Sequence, residues 1–215
     1  MKRLLLLTLL LLGAGRVLAQ GEYYDQRRSL FEVLPIRSSD IVFLGNSITD
    51  GGEWAELFDN RHVRNRGISG DQTGWMLGRL DPILAGHPKR LFLMIGTNDL
   101  AVGISPDEVV ANIARIIERF QTESRWTRLF VQSILPVNGR DFSKFKGHYA
   151  HADAIVETNR LLQALCEEKG VTYIDLWPAL ANADGLLASR YTNDGLHLVG
   201  EGYLVWRDAL KPYVK

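Results

Sequence analysis

The stretch Ile41–Thr49, which reads IVFLGNSIT, decides the fold, because a short apolar run ends in a glycine and passes directly into a polar block. Continuous β-branched and aliphatic runs of this kind are typical of strands buried on both faces of a parallel sheet. In such sheets, ligands bind beyond the carboxyl ends of the strands. Asn46 and Ser47 therefore fall where a functional site is expected.

Similar apolar runs recur along the chain and alternate with amphipathic stretches. Further strands are predicted at residues 62–65, 90–95, 129–134 and 171–174. Helices are predicted at residues 73–84, 105–120, 155–170 and 198–210. One helix start is especially clear, because Ser105 precedes Pro106 and two acidic residues. Strands that alternate with helices imply βαβ units, so we predict an open, doubly wound α/β sheet.

The composition is that of a globular protein. The 215 residues include 25 basic and 25 acidic side chains, and 46% of them are hydrophobic. The zero net charge argues against a dedicated nucleic-acid-binding protein, which usually carries a basic excess. The single cysteine, Cys166, excludes a disulfide framework and a cysteine-rich metal site, and we expect it to be a small buried residue.

The N-terminal residues have the three-part pattern of a secretory signal peptide. Lys2 and Arg3 precede a leucine-rich run, and Val17–Ala19 matches a small-residue cleavage site. We predict a signal peptide at residues 1–19, cleavage after Ala19, a secreted or periplasmic location and a single domain at residues 20–215. An uncleaved anchor is the alternative, although the run is shorter than the roughly 20 residues of a membrane helix. No later segment is suited to holding the chain at a membrane surface.

Three polar blocks carry side chains suited to nucleophilic chemistry. Ser47 stands at a strand-to-helix junction, where the helix dipole favours developing negative charge, although an ordinary N-cap serine is the alternative. Asn98 is suited to donating a hydrogen bond to an oxyanion, or to fixing a turn. Asp194 precedes His197 by three residues, a spacing that can orient an imidazole as a general base or make a plain surface contact.

A fourth block, Asn65–Thr73, follows the weakest predicted strand. Its glycines, Gly67 and Gly70, let a backbone N–H approach a substrate oxygen closely, and a plain turn is the alternative. Together the blocks occur in the order Ser, Gly, Asn, Asp, His. With the motifs GNSIT, SGD, GTND and DGLH, residues 40–210 resemble the SGNH hydrolase superfamily, or GDSL-type esterases. Within it, the chain is similar to the platelet-activating-factor acetylhydrolase-like branch and to secreted acetylesterases.

The resemblance implies a fold and a set of roles. The fold is a three-layer αβα, flavodoxin-like arrangement with a five-stranded parallel sheet. Ser47 is implied as the nucleophile, His197 as the base and Asp194 as the acid that orients it. The oxyanion hole is implied to consist of the backbone N–H groups of Ser47 and Gly70 and the side chain of Asn98. Gly67 competes for the place of Gly70, and no cofactor or metal is implied.

One position departs from the family pattern, since Asn46 stands where an aspartate is usual and removes a charge beside the nucleophile. His148, His151 and Asp153 are spaced as for a zinc site, but the implied mechanism uses no metal. We expect residues 142–149 to overhang the site instead.

Charged residues beside the motifs have simpler interpretations. We expect Asp50, Asp71 and Asp99 to fix loops as hydrogen-bond acceptors. Arg64 and Arg66 are suited to meeting an anionic substrate, but we expect them on a solvated surface.

The resulting hypothesis is a serine esterase that removes short acyl groups, above all acetyl, from small-molecule or glycan esters such as O-acetylated sugars. A lysophospholipase or thioesterase is the first alternative, and it requires a long apolar acyl groove. A non-catalytic binding module on the same fold is the second, and the absence of Ser47, Asp194 or His197 would favour it. No pattern in the sequence indicates an oligomeric state.

Overall fold

The computed structural model describes residues 21–214, whose centre is one five-stranded sheet. The strands are β1 (Ile41–Gly45), β2 (Val63–Gly67), β3 (Arg90–Met94), β4 (Arg128–Gln132) and β5 (Thr172–Ile174). All neighbouring strands are parallel, and their order is β2-β1-β3-β4-β5. This is the flavodoxin-like order, in which the chain reverses direction across the sheet beside β1. The predicted α/β fold with a five-stranded parallel sheet is therefore confirmed.

Helices connect and flank these strands. In chain order they are α1 (21–33), α2 (Ser47–Asp50), α3 (Trp54–Leu57), α4 (Thr73–Leu77), α5 (Asp81–Gly86), α6 (Thr97–Ala101), α7 (Pro106–Glu123), α8 (Lys146–Tyr149), α9 (Ala152–Lys169), α10 (Trp177–Leu180) and α11 (Gly200–Val214). The longest helices each bury an apolar stripe. On α7 this stripe includes Ile113, Ile116 and Phe120. Burial of such a stripe is the main stabilisation of a helix in a protein.

A row of aromatic rings forms the centre of one sheet face. Phe43, Phe92 and Phe130 are register neighbours on β1, β3 and β4, and their rings stack at 4.9 and 4.6 Å between centroids. Trp54 of α3 continues the row over Phe43, and Trp206 of α11 meets Trp54 edge-on. Each buried ring removes a large apolar area from water, so this row anchors the central strands whose ends carry the polar blocks.

Helix boundaries follow local signals and differ in several places from the prediction. Ser105 caps α7 as predicted, because its hydroxyl accepts from the Glu108 N–H at 3.2 Å. The helix predicted at residues 73–84 is two short helices, because α4 ends at Leu77 with Gly78 as its C-cap, and Pro82 lies in the first turn of α5. The last helix begins at Gly200 and continues to Val214. Helix α1 was not predicted.

The predicted signal peptide, residues 1–19 with cleavage after Ala19, lies outside the described residues. Within residues 21–214, no helix is both long and apolar enough to cross a membrane. The single-domain assignment of residues 20–215 stays a prediction.

Candidate active site

Ser47 is held at the tight junction between β1 and α2. Gly45 has no room for a side chain, because a Cβ there would overlap the Met94 carbonyl oxygen and the Thr49 side chain. Asn46 caps α2, since its Oδ1 accepts from the Ile48 N–H at 3.1 Å. An asparagine therefore retains the cap that the usual aspartate would supply. Ser47 is left as the first residue of α2, at the carboxyl end of a central strand.

Three predicted residues form a continuous chain of hydrogen bonds. His197 Nε2 lies 3.0 Å from Ser47 Oγ, and His197 Nδ1 lies 2.9 Å from Asp194 Oδ2. The other carboxylate oxygen, Asp194 Oδ1, accepts from the backbone N–H groups of Leu196 and His197. The carboxylate thus fixes both the loop and the imidazole that the loop carries. This arrangement leaves His197 Nε2 able to accept the hydroxyl proton of Ser47.

Asp194 is kept in its charged form by these contacts. Burial acts to raise the pKa of Asp194, but the hydrogen bonds from His197 and Leu196 outweigh it and lower the pKa below its ordinary value. A permanently charged carboxylate stabilises an imidazolium at Nδ1. The pair therefore suits an imidazole that gains and loses a proton within each reaction cycle.

The two glycines considered for the oxyanion hole differ in whether their N–H groups are free. The Gly67 N–H donates to Asn65 Oδ1 at 2.8 Å, so it is already bonded. The Gly70 N–H has no acceptor within residues 21–214, and Gly70 has a left-handed backbone with φ +80°. Glycine adopts this conformation without strain. The geometry therefore favours Gly70 over Gly67 as a donor to substrate.

Asn98 follows β3, the strand that pairs with the strand before Ser47. Gly45 and Met94 are register partners on β1 and β3, so the polar blocks that follow them begin side by side. Asn98 Nδ2 donates to the Asp71 carbonyl at 2.9 Å, and Asn98 Oδ1 lies 3.0 Å from His148 Nε2. Of the two Nδ2 hydrogens, one is used and the other is available to a substrate.

A buried ion pair supports this part of the site. Arg79 donates to Asp71 Oδ2 through Nε and Nη2, at 2.9 and 2.6 Å. It also donates to the carbonyls of Gly45 and Arg66, at the ends of β1 and β2. Asp99 accepts from the Thr73 N–H. Asp71 and Asp99 therefore act as the loop-fixing acceptors that the sequence predicts.

Arg66 corrects one expectation, because it is buried rather than solvated. Only 4% of it is exposed, and its guanidinium donates to the Leu34 carbonyl and lies over the Phe31 ring. Arg64 contacts Asp40 at 3.2 Å and stays partly exposed.

Ser47 and His197 open into a pocket of about 660 Å³. Its remaining lining residues, most of which carry a charge or a hydroxyl group, are Tyr23, Arg27, Asp50, Gly51, Glu53 and Ser69. Asp50 organises one side, accepting from the Tyr23 hydroxyl at 2.6 Å and from Arg27 Nη2 at 3.2 Å. We call Tyr23 and Arg27 the helix α1 wall. This wall was not predicted, since neither residue belongs to a motif block.

The segment around α8 contacts the site at His197 and Asn98. The Phe145 ring stands edge-on to His197 with 5.1 Å between centroids, so the segment overhangs the site as expected. His148 contacts Asn98, while His151 Nδ1 faces the Gly147 carbonyl at 2.8 Å. Among the described residues, no three His, Cys, Asp or Glu side chains are grouped to hold a metal. Cys166 is buried, and burial raises the pKa of its thiol to about 11.

Comparison with known proteins assigns the chain to a family. The sequence profile of the GDSL-like lipase/acylhydrolase family matches residues 43–205. The chain therefore belongs to the GDSL-like lipase/acylhydrolase family, which is a family of ester hydrolases. Platelet-activating factor acetylhydrolase IB subunit alpha1 of Bos taurus is 28% identical over 178 residues, which cover 78% of this chain and 71% of that protein.

Two solved structures extend the comparison. A protein from Streptococcus pneumoniae, provisionally described as a platelet activating factor, is 31% identical with a TM-score of 0.84 over 97% of this chain and 99% of that one. An acetylxylan esterase from Geobacillus stearothermophilus has the same fold, with 16% identity and a TM-score of 0.66 over 81% of this chain and 93% of that one.

Proposed function

We propose that the protein is a serine esterase that removes short acyl groups, above all acetyl, from polar alcohols such as sugars. The observation that carries the proposal is the pocket into which Ser47 and His197 open, because its other side chains carry a charge or a hydroxyl group. Within residues 21–214 no aliphatic side chain lines it, and such a lining does not suit a long acyl chain. A polar lining suits an alcohol that offers several hydroxyl groups.

The reaction follows from the hydrogen-bond chain. Ser47 Oγ attacks the ester carbonyl carbon while His197 Nε2 takes the hydroxyl proton and Asp194 stabilises the imidazolium. The N–H groups of Ser47 and Gly70 and the Asn98 amide hold the oxyanion. His197 returns its proton to the departing alcohol and leaves an acyl-enzyme. A water molecule, deprotonated by His197, then attacks the acyl carbon, and His197 returns that proton to Ser47 Oγ as the acid leaves.

Two observations support a small acyl group. The Phe145 ring stands edge-on to His197, which places a bulky side chain beside the imidazole. The mammalian relatives that match 78% of this chain are named acetylhydrolases. The binding-module alternative is disfavoured, because Ser47, His197 and Asp194 are all present and hydrogen-bonded to one another.

A series of p-nitrophenyl esters tests the acyl preference. We expect kcat/KM to fall from acetyl through butyryl to octanoyl esters, since each additional methylene is worth about 1–3 kcal/mol in a pocket shaped for a smaller group. Activity that rises with chain length, or that requires lipid micelles, would support the lysophospholipase alternative instead.

The sugar preference is tested on the helix α1 wall. We expect Arg27→Met to lower kcat/KM on an acetylated methyl glycoside about tenfold, the scale of one hydrogen bond to a charged group. Turnover of p-nitrophenyl acetate should change far less, because that ester has no sugar hydroxyls. Arg28→Met is the matched control, since Arg28 lies on the same helix and pairs with the exposed Asp25 and Glu32. Equal losses on both esters would contradict sugar recognition by Arg27.

We also propose that the enzyme acts outside the cytoplasm. The support is the signal-peptide pattern of residues 1–19, with its leucine-rich run and its cleavage motif. Expression in a bacterium with a secretion pathway should yield a protein that begins at Gln20, which N-terminal sequencing detects. An uncleaved protein in the membrane fraction would support the anchor alternative.

A further inference from the structure

We propose that His148 is a positioning residue that orients the side-chain amide of Asn98 so that its N–H faces the substrate oxyanion. The inference rests on the esterase function proposed above and assigns a role outside the four motif blocks. It starts from a contact between residues fifty positions apart, His148 Nε2 and Asn98 Oδ1, at 3.0 Å.

The direction of this hydrogen bond follows from the neighbouring contact. The Asp71 carbonyl can only accept a hydrogen bond, so the Asn98 atom 2.9 Å from it must be the NH₂ group. The amide oxygen of Asn98 then faces His148. Because that oxygen can only accept, His148 must carry its proton on Nε2 and donate it. The proposed tautomer is therefore fixed by chemistry rather than assumed.

The environment of His148 keeps it in the neutral form. Burial lowers the pKa of His148 to about 4, and the nearby His197 contributes in the same direction. A neutral imidazole adds a donor beside the oxyanion hole without placing a second permanent charge near His197. The side chain is also packed, with the Phe145 ring edge-on to it at 5.6 Å between centroids.

The consequence for catalysis is a correctly oriented oxyanion donor. An amide without this partner can rotate and present its oxygen to the substrate, which would repel the oxyanion. With Oδ1 held by His148 and one Nδ2 hydrogen held by Asp71, the second hydrogen has a fixed direction. Donation to Oδ1 also polarises the amide and strengthens Nδ2–H as a donor. Because the oxyanion develops only in the transition state, the effect belongs to kcat rather than KM.

An isosteric pair of variants tests the direction of the bond. In His148→Gln the side-chain NH₂ replaces Nε2–H, whereas in His148→Glu a group of the same shape only accepts. We expect His148→Ala to lower kcat about tenfold with little change in KM, part of the 10²–10³ that an oxyanion donor contributes. His148→Gln should recover most of that loss, and His148→Glu should fall below alanine.

A double-mutant cycle separates positioning from general support of the fold. We expect His148→Ala to have almost no further effect on kcat in an Asn98→Ala protein, because the oriented group is already gone. His151→Ala is the control, since the His151 side chain faces the neighbouring Gly147 carbonyl rather than Asn98. Thermal unfolding of each variant reports its folding.

Two results would overturn the inference. One is an equal loss of kcat from His148→Ala in the wild-type and Asn98→Ala backgrounds, and the other is equal activity of the Gln and Glu variants. Failure of the proposed function gives a different result, because the wild-type protein would then hydrolyse none of the p-nitrophenyl esters.

Discussion

The two sides of the pocket around Ser47 are constructed in opposite ways. On the oxyanion side, Asp71 and Arg79 are 0% and 6% exposed, and each makes several hydrogen bonds. On the other side, the Tyr23 residue of the helix α1 wall is 40% exposed, and Arg27 Nε is buried without a partner among the described residues. Charged side chains are buried and paired on the first side, whereas the second side carries partly exposed polar side chains that line a cavity.

We infer from this difference that the first side serves the proposed chemistry and the second side the choice of substrate. The side that contains Asp71 and Arg79 lies within residues 43–205, the stretch that matches the family profile. Tyr23 and Arg27 lie before it. When the groups that carry out a reaction and the side chains that contact the substrate come from separate segments, a family can keep one reaction and change the alcohol part of its ester substrates.

The largest loss of activity is expected from a substitution of Ser47. We expect Ser47→Ala to abolish ester hydrolysis with an unchanged fold, because no other group accepts the acyl chain. Circular dichroism and thermal unfolding serve as folding controls, and an organophosphate should label the wild-type serine only. Substantial turnover by the folded variant would place the nucleophile elsewhere.

The buried ion pair should have the next largest effect. Removing one partner of such a pair costs about 3–5 kcal/mol, so Arg79→Met should lower the free energy of unfolding by that amount. Arg119→Met is the control, because Arg119 pairs with Asp81 and Glu123 at the surface, where a pair is worth about 0–1 kcal/mol. Urea unfolding measures the free energy of unfolding of both variants. Similar decreases in the two would contradict the larger contribution expected of the buried pair.

Asn98 tests the oxyanion side without disturbing the pair. We expect Asn98→Ala to lower kcat by about 10²–10³ with a smaller effect on KM, since the donor matters most once charge has developed on the carbonyl oxygen. Steady-state kinetics on p-nitrophenyl acetate measures this. A kcat within a few-fold of wild type would reduce Asn98 to a turn residue.

The helix α1 wall should show the smallest effect. Tyr23→Phe removes the hydroxyl that donates to Asp50 but keeps the ring, so we expect KM for an acetylated glycoside to rise roughly fivefold, as for one modest hydrogen bond. Tyr24→Phe is the matched control, because the Tyr24 hydroxyl donates to the Trp75 carbonyl instead. Equal effects of the two substitutions would show that the wall selects nothing.

The side chains that meet at Ser47 were predictable because their signals are local. Ser47, Asn98 and His197 each sit in a short motif, and parallel strands bring the motifs that follow them to one edge. Asp194 and His197 are three residues apart, so their contact needs only one turn of chain.

The helix α1 wall was not predictable because its contacts join residues far apart in the sequence. Tyr23 meets Asp50 across 27 positions, and nothing in helix α1 marks it as part of a site. Arg66 misled for a related reason, since its burial depends on the Leu34 carbonyl and the Phe31 ring of a segment far away in the chain. His148 was noticed for its spacing, but its partner Asn98 lies fifty residues earlier.

The short helix α8 contacts two of the motif blocks, GTND and DGLH, through two adjacent residues. His148 contacts the Asn98 amide, and the Tyr149 hydroxyl donates to the Asp194 carbonyl. Helix α8 has only four residues and none is fully buried, which places it among the segments that open at low free energy. Heat should therefore inactivate the enzyme reversibly before the sheet unfolds, so that an activity melting curve lies below the circular-dichroism curve. Amide hydrogen exchange in Lys146–Tyr149 should be fast where that in β1 and β3 is slow.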